Sequence, residues 1–453
     1  MIKTRFAPSP TGPIHIGNIR VALYNWLFAK HHGGEFLLRV EDTDRIRSTN
    51  EAIEQLLSAL SVLGLPWDGE PVYQSRRLEA HQEAVSRLLE QGDAYHGSTA
   101  EQAKYDFLNV RLAGHPSSHD GAIVFKMPEE DMSFVDEVRG QLAKPYEKRY
   151  DFIIQRSDEL KTPVFNLANV VDDIFMGITH VIRGDDHIEN TFRQAALYRA
   201  LGSEPPKFIH LPMITNDKGR PYSKRDGTAF IGDFLERGFL PEAMLNYLAL
   251  LGWSPGGDKE IMTRDEMIAE FSGKKIQVSS AQMDLKKLEW MNGQYLQQLP
   301  YRKFVELAIP VLEAEGYDPQ SHKYINWILH SMQPRIKNLN ELPGAVTYFF
   351  RDDFVFDEKA VKKRTKPETI DLLVKLLMAF DKIVNFDEER IEKALRKVAA
   401  ENNTGAGQLI HPTRLAVSGT PNGPSLFGML SVLGKEKVSE RLGCYITRLE
   451  GVE

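Results

Sequence analysis

The sequence predicts an α/β protein built on a doubly wound parallel sheet, with an insertion in that sheet and helical domains after it. Three observations support this prediction. The first forty residues alternate strand, helix and strand. A second α/β stretch begins near residue 169, and nearly everything after residue 236 has helical periodicity. A chain of 453 residues also favours two to four domains over one.

The first half of the sheet is predicted from the segment that ends near Gly64. The stretch "TRFAP" is a short strand that ends at a proline, and "EFLLRVED" has the nearly continuous apolar character of a strand buried on both faces. Between them, apolar residues recur at helical spacing: Val21, Tyr24, Leu27 and Phe28. The stretch "EAIEQLLSALSVLGL" then places its leucines on one helical face, and Gly64 is a suitable end for that helix.

The pattern changes between about residues 80 and 168. A helix in "RLEAHQEAVSRLLEQG" leads into the polar stretch "LAGHPSSHDG" and then into shorter strand-like pieces, "AIVFKM" and "YDFIIQR". These features predict an insertion in the sheet. The order strand, helix, strand then resumes in "ITHVIRG", "NTFRQAALYRALG" and "KFIHLPMIT". The later chain is helical in character, as in "PEAMLNYLALLGW" and "TIDLLVKLLMAF".

The composition narrows the class of protein. Hydrophobic residues make up 42% and charged residues 26% of the chain, as in ordinary globular proteins. No apolar run approaches the roughly 18–20 residues that a membrane helix needs, and no apolar signal core is present. The single cysteine, Cys444, excludes an intramolecular disulfide and a zinc site built on several thiolates. We therefore expect a cytoplasmic protein. The net charge of −7 weighs against nonspecific coating of nucleic acid but leaves a local basic face open.

The stretch "PTGPIHIGN" is the first candidate for a phosphate-binding turn. Gly12 and Gly17 allow the backbone to approach a ligand, and a helix that starts near Asn18 points its N-terminal amides at an anion. His15 can donate a hydrogen bond to a phosphate oxygen. A loop histidine beside a helix start explains the same residues equally well. The dinucleotide and P-loop glycine motifs are both missing.

The stretch "NDKGRPYSKRDGTAF" is the second candidate. It follows an apolar strand, and its cations Lys224 and Arg225, beside the hydroxyl of Ser223, suit the charge of a triphosphate. Taken alone, this stretch favours the simpler interpretation of a solvated basic loop. The two stretches together favour a nucleotide site.

The pair "HIGN" and "YSKR" resembles the two signatures of class I aminoacyl-tRNA synthetases, which are usually written H-I-G-H and K-M-S-K-S. The stretches "RFAPSPTG", "RVEDTD", "NLANVVDD" and "THVIRGDDHIENTFRQ" are similar to those of bacterial glutamyl-tRNA synthetases. The stretch "GPSLFGMLSVLGKEKVSERL" resembles the end of that family's anticodon-binding region. The resemblance covers nearly the whole chain and is strongest over 4–50, 150–240 and 405–442.

The resemblance implies a reaction in two steps. L-Glutamate attacks the α-phosphorus of ATP to form glutamyl-adenylate and pyrophosphate, and the glutamyl group then passes to the 3′ end of tRNA(Glu) with release of AMP. The substrate carboxylate is itself the nucleophile, so catalysis rests on positioning and charge stabilisation. We expect Mg²⁺ bound mainly through the ATP phosphates, no zinc and no other metal held by the protein. We also expect a monomer without membrane association, and tRNA(Gln) is a second candidate substrate.

The resemblance also assigns roles to individual residues. Arg5 and Arg183 would hold the two carboxylates of glutamate by bidentate contacts, and Glu41 would pair with its amino group. The catalytic residues would be His15, Gly17 and Lys224. The ATP-binding residues would be His15, Gly17, Asn18, Asp186, His187, Ser223, Lys224 and Arg225. The glutamate-binding residues would be Arg5, Ala7, Ser9, Glu41, Phe165, Asn169 and Arg183. The tRNA-binding residue would be Arg335, in "QPRIKNLNEL", through a base contact.

Structural alternatives exist for some of these residues. Arg183 can instead form a salt bridge with Asp185 or Asp186, and Glu41 can instead pair with Arg39. The basic runs "KKRTK" at 362–366 and "RIEKALRK" at 390–397 suit tRNA phosphates, but solvated helix faces explain them equally well.

The family pattern predicts five segments. They are the first half of a Rossmann-like catalytic domain (1–79), an acceptor-stem-binding insertion (80–168), the second catalytic half with the K-M-S-K-S-like loop (169–235), a helical stem-contact domain (236–310) and a helical anticodon-binding region (311–453).

The sequence departs from the family pattern at a few positions. Asn18 replaces the second signature histidine, Pro221 stands where a lysine is common, and Phe165 stands where many relatives have a tyrosine. Where relatives often carry a cysteine-rich zinc knuckle, this chain reads "YHGSTAEQ". Nearby histidines in polar loops are expected to be solvated rather than metal ligands: His96, His115 and His119.

Other functions also fit parts of the pattern. A stand-alone adenylylating enzyme similar to pantothenate synthetase would not need the long helical half, and the short glutamyl paralogue that modifies a tRNA base lacks it. A non-catalytic tRNA-binding paralogue is disfavoured by His15, Gly17, Ser223 and Lys224, but Pro221 and Phe165 keep it open.

Overall fold

The computed structural model describes residues 1–43, 48–97, 122–146 and 151–451. The chain divides into two compact units, Met1–Met291 and Asn292–Glu453. In the described residues, the first unit combines parallel strands with helices, and the second is helical. The predicted fold class is confirmed.

The first unit begins with three parallel strands in the order β1-β2-β3, joined by two helices. These elements are β1 (Lys3–Phe6), α1 (Ile16–His31), β2 (Glu35–Val40), α2 (Asn50–Val62) and β3 (Val72–Tyr73). In register, Lys3 lies opposite Glu35 and Arg39 lies opposite Val72. The continuous apolar stretch predicted as a buried strand is β2, whose Phe36, Leu38 and Val40 are buried.

The next segment forms a small antiparallel sheet in the order β4-β5-β8 and a separate hairpin. Its elements are a short 3-10 helix (Gln74–Arg77), α3 (Leu78–Gln91), β4 (Ala94–His96), β5 (Ile123–Phe125), the hairpin strands β6 (Met132–Asp136) and β7 (Gly140–Lys144), and β8 (Phe152–Gln155).

The second α/β stretch completes the parallel sheet. It contains α4 (Phe165–Met176), β9 (His180–Gly184), a 3-10 helix (Asp185–His187), α5 (Ile188–Ala200) and β10 (Lys207–Leu211). The strand order is β7-β6-β10-β9, and β6 pairs with β10 in parallel at Asp136 and Phe208. A hairpin from the segment predicted as an insertion therefore extends this sheet.

Strands β1 and β9 lie side by side where the two halves of the sheet meet. Lys3 N donates to Thr179 Oγ1 at 2.8 Å, and Thr179 N donates to Lys3 O at 3.0 Å. Because β2 and β3 extend from β1 in one direction and β10 extends from β9 in the other, the strand order reverses at this point. In open α/β sheets, the crevice at the carboxyl ends of such strands is the usual ligand site.

Helix α1 is largely buried near that crevice. Ile19, Leu23, Tyr24 and Leu27 are fully buried within one apolar core. The remaining elements of the first unit are β11 (Ile214–Thr215), α6 (Ile231–Glu236), α7 (Pro241–Leu250), α8 (Arg264–Glu270) and β12 (Ala281–Gln282). α9 (Leu285–Gln298) contains the point where the two units divide.

The second unit is built from helices in its described part. They are α10 (Tyr301–Ala314), α11 (Ile325–Met332), a 3-10 helix (Leu339–Glu341), α12 (Leu342–Phe350), α13 (Glu358–Arg364), α14 (Pro367–Asp381), α15 (Glu388–Glu401), α16 (Gly407–Ser418), α17 (Leu426–Leu433) and α18 (Lys435–Glu450). Helix α14 packs against α15 and α18 through buried leucine and phenylalanine side chains. Within the described ranges, no helix has both the length and the apolar character needed to cross a membrane.

Candidate active site

A cavity of about 470 Å³ lies at the carboxyl ends of β1 and β9, where the strand order reverses. It brings together most of the predicted site residues: Arg5, Ala7, Ser9, His15, Gly17, Asn18, Glu41, Phe165, Asn169, Arg183, Asp186 and His187. Pro221 also lines it, whereas Ser223, Lys224 and Arg225 are not among the lining residues. Arg335 belongs to the second unit.

His15 caps the N-terminus of α1 and is held in one orientation. Its Nδ1 accepts a hydrogen bond from Gly17 N at 3.1 Å. Burial lowers the pKa of His15, with the backbone of Tyr222 acting in the opposite direction. The imidazole is therefore neutral near pH 7, and its proton lies on Nε2. A Cβ at Gly17 would lie 3.3 Å from Nδ1, which explains the glycine at this position by close approach.

The two signature motifs meet through a short β-bridge. Ile16 N donates to Ala229 O at 2.9 Å, and Ile231 N donates to Ile14 O at 3.1 Å. Between these bonds, the ring of His15 meets the ring of Phe230 edge-on at 6.2 Å. The Nζ of Lys224 lies 5.3 Å from the centre of the Phe230 ring. Main-chain pairing thus places Lys224 on the His15 side of the cavity.

The loop of the second motif is organised by two residues that the sequence analysis did not select. Asp226 Oδ2 accepts hydrogen bonds from Ser223 Oγ at 2.9 Å and Ser223 N at 3.0 Å, and Asn216 Nδ2 donates to Asp226 Oδ1 at 2.7 Å. The bond from Asn216 is the largest cause of the lowered pKa of Asp226, followed by the bond from Ser223. The Asp-Gly pair that follows Arg225 was a signal for a turn of this kind.

Arg183 is a buried cation without a carboxylate partner among the described residues. Its Nε donates to His210 Nε2 at 3.3 Å, and its Nη2 donates to Thr191 Oγ1 at 2.6 Å. The alternative salt bridge of Arg183 with Asp185 or Asp186 is not formed. Asp185 Oδ2 instead lies 2.6 Å from Arg139 Nη2, and Asp186 Oδ2 lies 3.7 Å from His187 Nε2. Burial, and then the charge of Arg5, lower the pKa of Arg183 to about 9.

Arg5 and Arg39 share the carboxylate of Asp173. Arg5 Nε lies 3.2 Å from Asp173 Oδ1, and Arg39 Nη1 bonds to the same oxygen. Arg39 Nη2 bonds to Asn169 Oδ1 at 2.6 Å and to Glu41 Oε1 at 3.2 Å. The alternative pairing of Glu41 with Arg39 therefore occurs, while Glu41 also lines the cavity.

This network contains more buried arginines than buried carboxylates, and Arg5, Glu41 and Arg183 are its members that line the cavity. Arg20 is a further buried arginine that lines the cavity, and it donates to the backbone oxygens of Pro212 and Leu251. The set formed by Arg5, Arg39, Arg183, Asp173 and Glu41 has three buried arginines and two buried carboxylates. With both carboxylates ionised, the set carries one net positive charge. Sequence reasoning did not select Asp173 and considered Arg39 only as a possible partner of Glu41. The available signal was a charged residue inside the apolar strand "FLLRV" and a pair of aspartates at the end of "NLANVVDD".

Phe165 lies at the cavity wall and is 37% exposed. Its ring stacks on His187, with centres 5.4 Å apart and planes 27° apart. At this position the chain therefore presents to the cavity an aromatic ring packed on an imidazole.

The comparison with known proteins identifies the family. Residues 1–107 and 100–290 match the model of class I tRNA synthetase catalytic domains for glutamate and glutamine (E and Q), and residues 303–446 match an anticodon binding domain. A glutamate–tRNA ligase of Desulforudis audaxviator is 40% identical and covers 97% of this chain and 95% of its own. The chain belongs to the glutamate–tRNA ligase family. The family predicted from the motifs is confirmed.

Other glutamate–tRNA ligases agree with this assignment. Glutamate–tRNA ligase 2 of Thermoanaerobacter pseudethanolicus is 38% identical, with 97% of each chain covered. A crystal structure of a glutamate–tRNA ligase from Elizabethkingia meningosepticum, in complex with its amino acid, superposes with a TM-score of 0.87 at 30% identity and covers 99% of both chains. The likeness to this family extends over sequence and fold together.

The second unit contains the residue predicted to bind tRNA in this family. Arg335 is exposed, and its Nε donates to Gly423 O at 3.2 Å. Arg414 lies near it and has a pKa lowered by burial, with a smaller contribution from Arg335. The basic run at 390–397 is partly neutralised on its own helix, since Arg396 pairs with Glu392 at 2.6 Å and Lys397 with Glu401 at 3.7 Å.

Metal ligation by the protein has no candidate in the described part of the chain, where no cluster of three histidine, cysteine or acidic side chains could hold an ion. His96 is half-buried at the end of β4. His115 and His119 lie outside the described residues, and their expected solvation stays a prediction.

Proposed function

We propose that this chain is an ATP-dependent glutamate–tRNA ligase that activates L-glutamate as glutamyl-adenylate and transfers it to the 3′ end of tRNA(Glu). The observation that carries this proposal is the buried, carboxylate-free cation of Arg183 in a cavity that also holds the His15 turn. Buried charges are normally paired, so a lone buried arginine at a cavity wall favours an anionic ligand.

The charge of the cavity suits glutamate. At neutral pH, glutamate carries two carboxylates and one ammonium group and is therefore a monoanion, which suits a cavity lined by the buried arginines Arg5, Arg20 and Arg183. Arg183 offers a guanidinium fork for one carboxylate, and Arg5, already paired with Asp173, offers a second contact. Glu41 faces the cavity as the partner for the ammonium group. Neutral glutamine would leave the arginine charge unbalanced, so we propose that electrostatics contributes to the choice of amino acid.

The chemistry expected of His15 follows from its tautomer. The Nε2–H of its neutral ring is a donor for an oxygen of the α-phosphate as negative charge develops there. The first amides of α1 already have acceptors in this structure, since Ile16 N donates to Ala229 O and Gly17 N donates to His15 Nδ1. Lys224 and Arg225 supply cations for the departing pyrophosphate. Mg²⁺, bound mainly through the ATP phosphates, would neutralise further charge.

The second unit is proposed to bind tRNA. Arg335 is exposed and near Arg414, and an arginine fork is the side chain best suited to a bidentate base contact. We propose that Arg335 contributes to discrimination between tRNA(Glu) and tRNA(Gln). The ligase is further proposed to act as a monomer.

Aminoacylation with radiolabelled glutamate tests the proposed function directly. Purified tRNA(Glu) and tRNA(Gln) are incubated separately with the protein, with and without ATP, beside an active control ligase. We expect ATP-dependent charging of tRNA(Glu) alone. Charging of both tRNAs would keep the enzyme but contradict Arg335 as a strict discriminator. If neither tRNA is charged while the control ligase charges both, the proposed function is wrong.

Restoring the hydroxyl at residue 165 tests the glutamate site. Phe165→Tyr is expected to lower KM for glutamate by about two- to tenfold, because one net hydrogen bond contributes about 0.5–1.5 kcal/mol. KM for ATP should not change. The matched control is Phe175→Tyr on the same helix, where the ring is 62% exposed and outside the cavity lining. An equal effect of both substitutions would contradict a role for residue 165 in glutamate binding.

A further inference from the structure

Arg183 is joined to Asp136 through a buried histidine. Asp136 Oδ2 lies 2.7 Å from His210 Nδ1, and His210 Nε2 accepts from Arg183 Nε at 3.3 Å. The three side chains come from neighbouring strands, β6, β10 and β9. Their exposed fractions are 1% for Asp136, 0% for His210 and 6% for Arg183. They form one hydrogen-bonded chain that ends at the cavity.

The partners of this chain determine where the proton of His210 lies. Asp136 Oδ1 accepts from Val138 N at 3.0 Å and Arg139 N at 2.8 Å, and Asp136 Oδ2 accepts from His210 N at 3.0 Å. Burial alone would raise the pKa of Asp136, but the bond from His210 and the backbone donors hold it below its ordinary value. The ionised carboxylate requires a proton on Nδ1. The Nε2 of His210 is then a lone-pair acceptor, as the Nε–H of Arg183 requires.

We propose that His210, oriented by Asp136, is a positioning residue for glutamate binding, because its unprotonated Nε2 fixes the guanidinium of Arg183 at the cavity wall. This inference rests on the proposed function. Thr191 completes the arrangement, since its Oγ1 lies 3.0 Å from His210 Nε2 and accepts from Arg183 Nη2. Two nitrogens of Arg183, Nε and Nη2, are thereby held from behind, and Nη2 also lies 3.5 Å from His187 O. Nη1, which carries two N–H groups, is available to a ligand.

The arrangement implies a dependence of glutamate binding on pH. The charged and titratable groups that face His210 from the packed elements are, within the described chain, Asp136 and Arg139 on the hairpin, Arg183 on β9 and His187 on the 3-10 helix. Burial lowers the pKa of His210, and Asp136 opposes this shift. His210 is therefore neutral at neutral pH. On protonation at lower pH, a second N–H would face the Arg183 cation, and KM for glutamate would rise.

Two substitutions separate the functions of the two ring nitrogens. The short amide of His210→Asn reaches the position of Nδ1 and can still donate to Asp136, but it leaves Arg183 Nε without an acceptor. The longer amide of His210→Gln reaches the position of Nε2 and can accept from Arg183, but it does not titrate. We expect His210→Asn to raise KM for glutamate by about tenfold or more, and His210→Gln by less than about threefold at neutral pH. KM for ATP should stay unchanged in both.

The pH profile provides the readout that a merely structural residue would not move. KM for glutamate is measured in the aminoacylation assay between about pH 5 and 8. The wild-type protein and a His180→Gln variant, whose histidine lies on β9 outside the cavity lining, should both show a rise in KM on the acid side. His210→Gln should lose this rise. Thermal melting establishes that each variant is folded. If His210→Asn does not fold, the profiles of the wild type and of His210→Gln still decide the question.

Several outcomes would overturn the proposal. These are equal glutamate KM values for the asparagine and glutamine variants, an acid-side rise that persists in His210→Gln, or a parallel increase in KM for ATP. If the wild-type protein charges no tRNA, the proposed function itself fails. If it charges tRNA and the His210 variants behave like the wild type, only the positioning role fails.

Discussion

Replacing Arg183 by methionine is expected to remove glutamate-dependent activity without destabilising the protein. Loss of one partner of a buried charge pair between protein and ligand lowers the free energy of binding by about 2–5 kcal/mol. We therefore expect kcat/KM for glutamate to fall by about 30-fold to several thousand-fold in aminoacylation. Arg183→Lys should lie between the wild type and Arg183→Met, because a lysine keeps the charge but not the guanidinium fork. KM for ATP should change little.

The stability of the same variant distinguishes a ligand-binding arginine from a structural one. In the unliganded protein, Arg183 is buried without a carboxylate partner in the described structure, and burial lowers its pKa to about 9. Removing this cation should leave the melting temperature at neutral pH unchanged or higher. Arg199→Met, at an exposed position of helix α5, is the matched control for activity. A variant at Arg183 that melts well below the wild type would show that the arginine mainly stabilises the fold.

Asp173→Asn is expected to have the largest effect on stability. Asp173 is the shared partner of Arg5 and Arg39 and also accepts from Tyr198 Oη at 3.2 Å. The amide preserves the shape but leaves two buried guanidinium groups with one carboxylate, Glu41. Breaking a buried ion pair in this way costs about 3–5 kcal/mol. The free energy of unfolding of the first unit can be measured from hydrogen exchange of its peptides in urea.

The control for this substitution is Glu35→Gln on strand β2. Glu35 Oε2 lies 2.8 Å from Lys3 Nζ, and each of the two side chains is about one-third exposed. Loss of this pair should cost less than about 1 kcal/mol. If Asp173→Asn and Glu35→Gln lowered the free energy of unfolding by similar amounts, the central position of Asp173 in the network would be contradicted.

The pKa of Asp173 gives the sign of the accompanying pH effect. Burial alone would raise this pKa, but the charges of Arg39 and Arg5 hold it below its ordinary value. A depressed pKa in the folded state contributes stability that is present above the unfolded value of about 3.9 and is lost as the pH falls through the folded value. Asp173→Asn should therefore lack this part of the acid sensitivity of the wild type.

The fold class and the position of the site could be predicted from local patterns. The alternation of strand and helix before Gly64 and after residue 169 is a property of short windows, and the turn at His15 lies where the strand order reverses. The residues that line the cavity also come from the segments that carry the motifs. These features depend on periodicity and on neighbouring residues, which a sequence displays directly.

The choice of partners inside the site could not be predicted in the same way. Asp173 and Arg39 are 134 positions apart, and Asp136 and His210 are 74 apart. Which carboxylate neutralises which guanidinium depends on strand order and register, and these arise from packing of the whole unit. The hairpin β6–β7 was missed for a related reason, because a partly exposed two-stranded ribbon has little apolar periodicity.

The pairing of β6 with β10 bears on how modular this enzyme is. Residues 80–168 look like an exchangeable segment in the sequence, but Asp136 within them completes the hydrogen bonding of a buried histidine in the core. In a chimera that takes this segment from another protein, His210 would keep its buried partner only if the donor segment had an acidic side chain at the position of Asp136. The segment and the sheet are therefore expected to evolve as one unit at this strand.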